Sequence, residues 1–333
     1  MNKTLSNKIR IASLLCTFMV IMRHSRNLQA FWGTEQISNV CSYIENGFSV
    51  MTEVAIPYFF VISGFFFFRY NYYQKGIYCE MLKKKFWTLL IPFVFWNVFW
   101  AFVPYFTRQI DFSEPIITKL QHLAFSDYYG ALWYVRNIML LMFLVPLYNW
   151  IFIVNNKWLF LIVGGILLFW WWPVDCAWYS TEGVLFFYLG GLFQRYSKLL
   201  SYKLPLYIIV PIAILWSIFA FERPLWSINM NKFSTLLGLL TFWYMLDRMP
   251  QFVYKWLLSL TPIMFFIYVT HLYIIKGMKV VTASFYSGSE MVALLSFFLL
   301  PMVAIVITYF CGQMWLKFNT RSFNMVTGGR AKQ

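Results

Sequence analysis

Apolar residues run along this chain in long blocks, and short polar clusters separate one block from the next. Many blocks reach about 20 residues, the length a helix needs to cross a hydrocarbon core roughly 30 Å thick. Backbone in lipid must satisfy its own hydrogen bonds within each segment, so blocks of this length predict helices. The pattern places about ten spans, near 9–30, 48–68, 86–106, 131–154, 158–173, 182–194, 205–221, 233–248, 256–275 and 291–316. The fifth and sixth are short, which suits tilted, broken or partly re-entrant helices. A membrane β-barrel would instead show short alternating segments. The expected architecture is all-α: a polytopic membrane helix bundle forming a single integral-membrane domain over 1–333, with no soluble domain or long linker.

Composition agrees with the pattern. The 333 residues are 61% hydrophobic and only 12% charged, against about a quarter charged in soluble domains, so most of the surface must face lipid. A net charge of +15 would suit nucleic acid, but the cations cluster between apolar blocks, as topology and anionic lipid require. Nucleic acid is therefore excluded as a partner, and the lipid bilayer takes its place. Cys16, Cys41, Cys79, Cys176 and Cys311 form no C-x-x-C pair, so neither a disulfide framework nor a metal site is expected. Three dispersed histidines and few carboxylates likewise offer no metal-ligand spacing. The stretch Met1 to Met22 has the basic start and apolar run of a signal peptide. Arg23-His24-Ser25-Arg26 follows instead of a small-residue cleavage site, which predicts an uncleaved first helix.

Charge also sets the orientation. With the N-terminus cytoplasmic, 18 of the 27 Lys and Arg fall in inner segments, including Lys75, Arg330 and Lys332. Eight, including Arg108 and Arg223, fall in outer ones, and Arg136 lies inside a span. Both termini are then cytoplasmic. His24 lies near the outer end of the first span, Glu53 about one turn inside the outer start of the second, Arg136 near the outer start of the fourth, and His271 in the outer half of the ninth. Ionisable groups at such depth are costly and tend to be kept for function. At the inner face Arg10 and Lys83-Lys84-Lys85 form a basic rim. His122 falls in an outer loop as a solvated residue.

Several segments together resemble the acyltransferase 3 family, integral-membrane O-acyltransferases of bacterial envelope sugars. Pro57-Tyr-Phe-Phe-Val-Ile-Ser-Gly-Phe65 is similar to the family's P-x-F-F-x-x-S-G-F signature. Lys83 to Lys85 precede Leu89-Leu90-Ile91-Pro92, and Leu132-Trp133-Tyr134-Val135-Arg136 is close to its L-W-F/Y segment. Phe187-Tyr188-Leu189-Gly190-Gly191 and Phe266-Ile267-Tyr268-Val269-Thr270-His271 follow in the expected order. One position departs: the family pairs the first-helix histidine with an arginine eleven residues earlier, where this chain has Ser13. Arg10, fourteen residues before His24, lies on nearly the same helical face, one turn deeper, at roughly 21 Å of rise from it.

The resemblance implies an acyl-CoA donor, most often acetyl-CoA, taken as a substrate and not as a bound cofactor, with Arg10 and Lys83 to Lys85 meeting its phosphates. It implies a glycan or lipid-linked saccharide as acceptor, at the bacterial inner membrane. His24 would then take the proton of the acceptor hydroxyl or carry the acyl group itself. Glu53 or His271 would orient it, as a third group orients the base in a triad. Arg136 would stabilise the oxyanion or hold an acidic sugar. The competing expectation is a transporter or flippase of a lipid-linked glycan, without covalent chemistry. Ser63-Gly64, Gly164-Gly165 and Gly190-Gly191 read as close helix packing.

Overall fold

The computed structural model describes residues 3–26, 39–70, 72, 74, 76–107, 113–172, 180–222, 228–284 and 289–329. Cys176 and the cations Lys75, Arg108, Arg223, Arg330 and Lys332 lie outside the described residues. The described chain is helical, with no strand among the described residues. In order, the helices are α1 (Lys3–His24), α2 (Asn39–Met51), α3 (Ala55–Phe67), α4 (Ile77–Lys85), α5 (Ile91–Trp100), α6 (Phe102–Phe106), α7 (Ile116–Phe125), α8 (Trp133–Leu141) and α9 (Val145–Val154). There follow α10 (Lys157–Trp171), α11 (Thr181–Arg195), α12 (Lys198–Ser201), α13 (Leu206–Phe221), α14 (Ile228–Met245), α15 (Gln251–Leu260), α16 (Met264–Ser284), α17 (Glu290–Phe318) and α18 (Thr320–Thr327).

Six helical stretches among the described residues are long and apolar enough to cross a membrane: 3–24, 40–67, 77–106, 130–154, 251–284 and 290–318. By that measure the expected count of ten is not confirmed. The other four expected spans fall on α10, α11, α13 and α14, which have 15 to 18 residues. Of these, α10 and α13 are apolar but short, at the lower limit of what crosses a bilayer untilted. The chain divides into two compact units, residues 1–62 with 196–309, and 63–195 with 310–333; the division falls within α3 and α17.

In the first unit α1 packs against α15, α16 and the 3-10 turn Thr52–Val54, while α13 packs against α14 and α2. No glycine or proline interrupts α1, and Leu5, Ile9, Ala12, Cys16 and Val20 recur at helical spacing on its buried face. Its polar residues are tied locally: Ser13 Oγ donates to the Ile9 carbonyl at 2.8 Å and Thr17 Oγ1 to that of Ser13 at 2.9 Å. Lys8 is buried and paired with Asp247 at 2.8 Å, its ammonium 4.1 Å from the centroid of the Trp243 ring.

In the second unit α11 packs against α8, α9 and α10, and α5 against α7 and α18. Gly64 faces the α11 backbone so closely that a Cβ there would lie 2.0 Å from the Phe187 carbonyl oxygen. A Cβ at Gly191 would lie 2.3 Å from the Phe152 ring. The close packing expected at Gly164-Gly165 is not found: Gly164 makes ordinary contact and Gly165 has nothing within 4 Å. Between α4 and α5, residues Phe86–Leu90 form one wide π turn, with Ile91 N–H bonding the Phe86 carbonyl. Pro92 has no N–H to offer the turn before it, so the i→i−4 ladder is broken there.

Candidate active site

Three contacts fix the end of α1. Ser25 donates its backbone N–H to the Met22 carbonyl at 3.0 Å. Its buried hydroxyl lies 2.7 Å from that same carbonyl and 2.9 Å from the Phe297 carbonyl of α17. On either side of His24, Arg23 donates to Ser49 Oγ at 2.7 Å and meets Glu53 at 2.9 Å, while Arg26 donates to Asn46 Oδ1 at 2.6 Å. Two positive side chains at a helix C-terminus also suit its dipole. His24 itself is half-buried.

The ring of His271 lies beside it. The centroids are 5.3 Å apart and the planes tilted by 44°, which joins the end of α1 to the middle of α16. His271 is wholly buried. Its Nδ1 lies 2.5 Å from the Tyr268 carbonyl oxygen, which can only accept, so Nδ1 carries a hydrogen and in the neutral ring the lone pair is at Nε2. That Nε2 is buried without a hydrogen-bond partner. A neutral acceptor nitrogen thus waits next to a half-buried imidazole.

The other expected site residues have their own places. Glu53 receives Arg23. Arg10, in the first unit, donates to Thr261 Oγ1 at 2.7 Å. Ser13, at the position where the resembled family has arginine, reaches the Tyr58 hydroxyl at 3.2 Å. Arg136 belongs to the second unit, where it donates to the Phe125 carbonyl at 2.8 Å and leaves Nε buried without a hydrogen bond. Lys83 and Lys84 are exposed, and Lys85 lies over the Phe67 ring at 4.4 Å, at the C-terminus of α4. Outside the spans, His122 lies 3.0 Å from Asp127 and 3.3 Å from Glu114, and the Asp127 hydrogen bond holds the imidazole above its ordinary pKa.

Segments far apart in sequence meet within each unit. His24 meets the Phe266–His271 stretch in the first. In the second, Ser63 Oγ lies 2.9 Å from the Tyr134 hydroxyl, and Gly64 abuts Phe187. Sequence reasoning counted Lys276 and Lys279 only as topological charges and passed over Glu45; Lys279 reaches the Arg26 carbonyl and Glu45 lies 4.0 Å from Arg26 through packing of α2 and α16 that no local pattern announces.

Apolar helices of membrane length define an integral-membrane protein, within which a half-buried imidazole and a buried one lie side by side. A family model described as an acyltransferase domain, that of the acyltransferase 3 family, matches residues 10–312. The match covers nearly the whole chain, which belongs to this family and is an acyltransferase. Comparison with curated proteins and with solved structures gives no match.

Proposed function

We propose that this acyltransferase moves an acyl group, acetyl in the first instance, from acyl-CoA to a hydroxyl of a cell-envelope or exopolysaccharide glycan at the bacterial inner membrane. The observation that supports it best is the His24–His271 pair, 5.3 Å apart between centroids. In the proposed step the hydroxyl oxygen bonds to the thioester carbonyl carbon as His24 takes the hydroxyl proton. The C–S bond then breaks, and the CoA thiolate leaves with that proton. In this step the unpartnered Nε2 of His271, whose Nδ1–H is held by the Tyr268 carbonyl, becomes the acceptor for the remaining His24 N–H and so fixes its tautomer, as an orienting partner does in a triad. Glu53 acts through Arg23, which it holds at 2.9 Å. Arg10, fourteen residues back along the same helix as His24, meets the CoA phosphates. Both termini then lie in the cytoplasm. The test is thiol release from acetyl-CoA by the protein in nanodiscs with envelope glycan present. Wild type releases thiol; His24→Ala does not, while remaining folded. Equal release by both discards the role of His24.

A further inference from the structure

Around His24 the cations outnumber the carboxylates. Arg23, Lys276 and Lys279 are the charges that reach its ring. Arg26 joins them through its carbonyl, which accepts from Lys279 Nζ at 2.5 Å. Two carboxylates answer these four cations among the described residues. Glu53 holds Arg23 at 2.9 Å. Glu45, itself 1% exposed, lies 4.0 Å from Arg26 and also faces Lys279. One carboxylate therefore serves two cations. Lys276 is exposed, and among the described residues its ammonium lies 5.1 Å from the Tyr273 ring centroid. The Arg26 Nε is buried without a hydrogen bond. Charge at membrane depth is normally paired, since an unpaired ion loses its hydration without return. Among the described residues the cations beside the half-buried imidazole thus exceed the carboxylates by two, and an anion balances them.

We propose that the acceptor is an anionic glycan whose carboxylate or phosphate group binds Lys276, Lys279 and Arg26 beside His24. This rests on His24 marking the acceptor end of the site. Arg10, the cation suited to the donor, stands fourteen residues away along the same helix, roughly 21 Å by helical rise.

The test reads the rate at which diethyl pyrocarbonate modifies His24, followed by mass spectrometry on the full chain in zwitterionic nanodiscs. His122, on α7, serves as an internal control. The probes are oligogalacturonate, its carboxyl-reduced neutral counterpart, and CoA. Oligogalacturonate slows modification of His24 and leaves His122 unchanged; the neutral oligosaccharide does neither. In the Lys276→Gln/Lys279→Gln variant the half-protecting concentration rises about tenfold, and it returns in Lys276→Arg/Lys279→Arg. Protection also weakens as salt is raised. No slowing by oligogalacturonate, or equal slowing by the neutral sugar, overturns the proposal. Protection by CoA alone assigns these cations to the donor and overturns it too. Protection is read without turnover, so a His24→Ala protein that still transfers acyl groups would sink the base assignment and leave the anion site standing.

Discussion

His24 and His271 come from helices nearly 250 residues apart in the chain, yet their rings stand 5.3 Å apart. One ring is half-buried and the other wholly buried. In the proposed mechanism the reachable imidazole meets substrate, and the enclosed one, tied to the Tyr268 carbonyl, orients it. Replacing His271 should therefore lower kcat for acyl transfer about 10²-fold, with the KM for acyl-CoA little changed. Steady-state kinetics of His271→Asn and His271→Ala check this. A rise in KM at unchanged kcat would mean that His271 serves binding.

Gly64 is a steric requirement. Adding a methyl group there drives a Cβ into the Phe187 carbonyl, so Gly64→Ala should destabilise the second unit by about 1–3 kcal/mol. Gly165, also helical but with nothing within 4 Å, is the control: Gly165→Ala should cost nothing and can gain up to ~1 kcal/mol of helix propensity. Thermal unfolding in detergent distinguishes the pair, and similar losses in both would refute the packing assignment.

Lys8 is buried and its partner Asp247 partly so, and removing one strands the other. Lys8→Met or Asp247→Asn alone should cost about 3–5 kcal/mol, while the double variant should recover much of that loss. A double-mutant cycle on unfolding measures the coupling. Simple additivity would show that the two charges do not depend on each other.

His122 gives a pH signature. Asp127 and Glu114 favour its charged form, so its pKa in the folded chain lies above that of the unfolded chain. The cluster therefore contributes its stability fully below the ordinary histidine pKa, near 6.5. It loses that contribution as pH rises through the higher folded value. Protease sensitivity around α7 should increase across that window in wild type and become flat in His122→Gln. A wild-type profile without slope would contradict the assignment.

How far the sequence revealed this arrangement depended on how local each signal was. Long apolar blocks predicted helices because backbone in lipid has no other solution; α17 lies close to its expected limits, while α1 begins and ends six residues before those expected of the first span. The span count was less legible, since α10, α11, α13 and α14 have only 15 to 18 residues and length alone does not say whether such a helix crosses. Ser63-Gly64 announced close packing through its lack of bulk, but Gly164-Gly165 carried the same letters onto an open face. His24 stood out as an ionisable group ending an apolar run. Which group it met did not: Glu53 and His271 were both candidates in one dimension, and folding gives Glu53 to Arg23 while setting His271 against His24.

The most direct measurement is mass spectrometry of envelope glycans from cells carrying the wild-type protein or His24→Ala, with equal amounts of each in the membrane. The glycan should remain at the surface in both and lose its acyl esters only in the variant. Esters persisting at the wild-type level with His24→Ala would contradict the account, and loss of the polymer itself from the surface would point to transport instead.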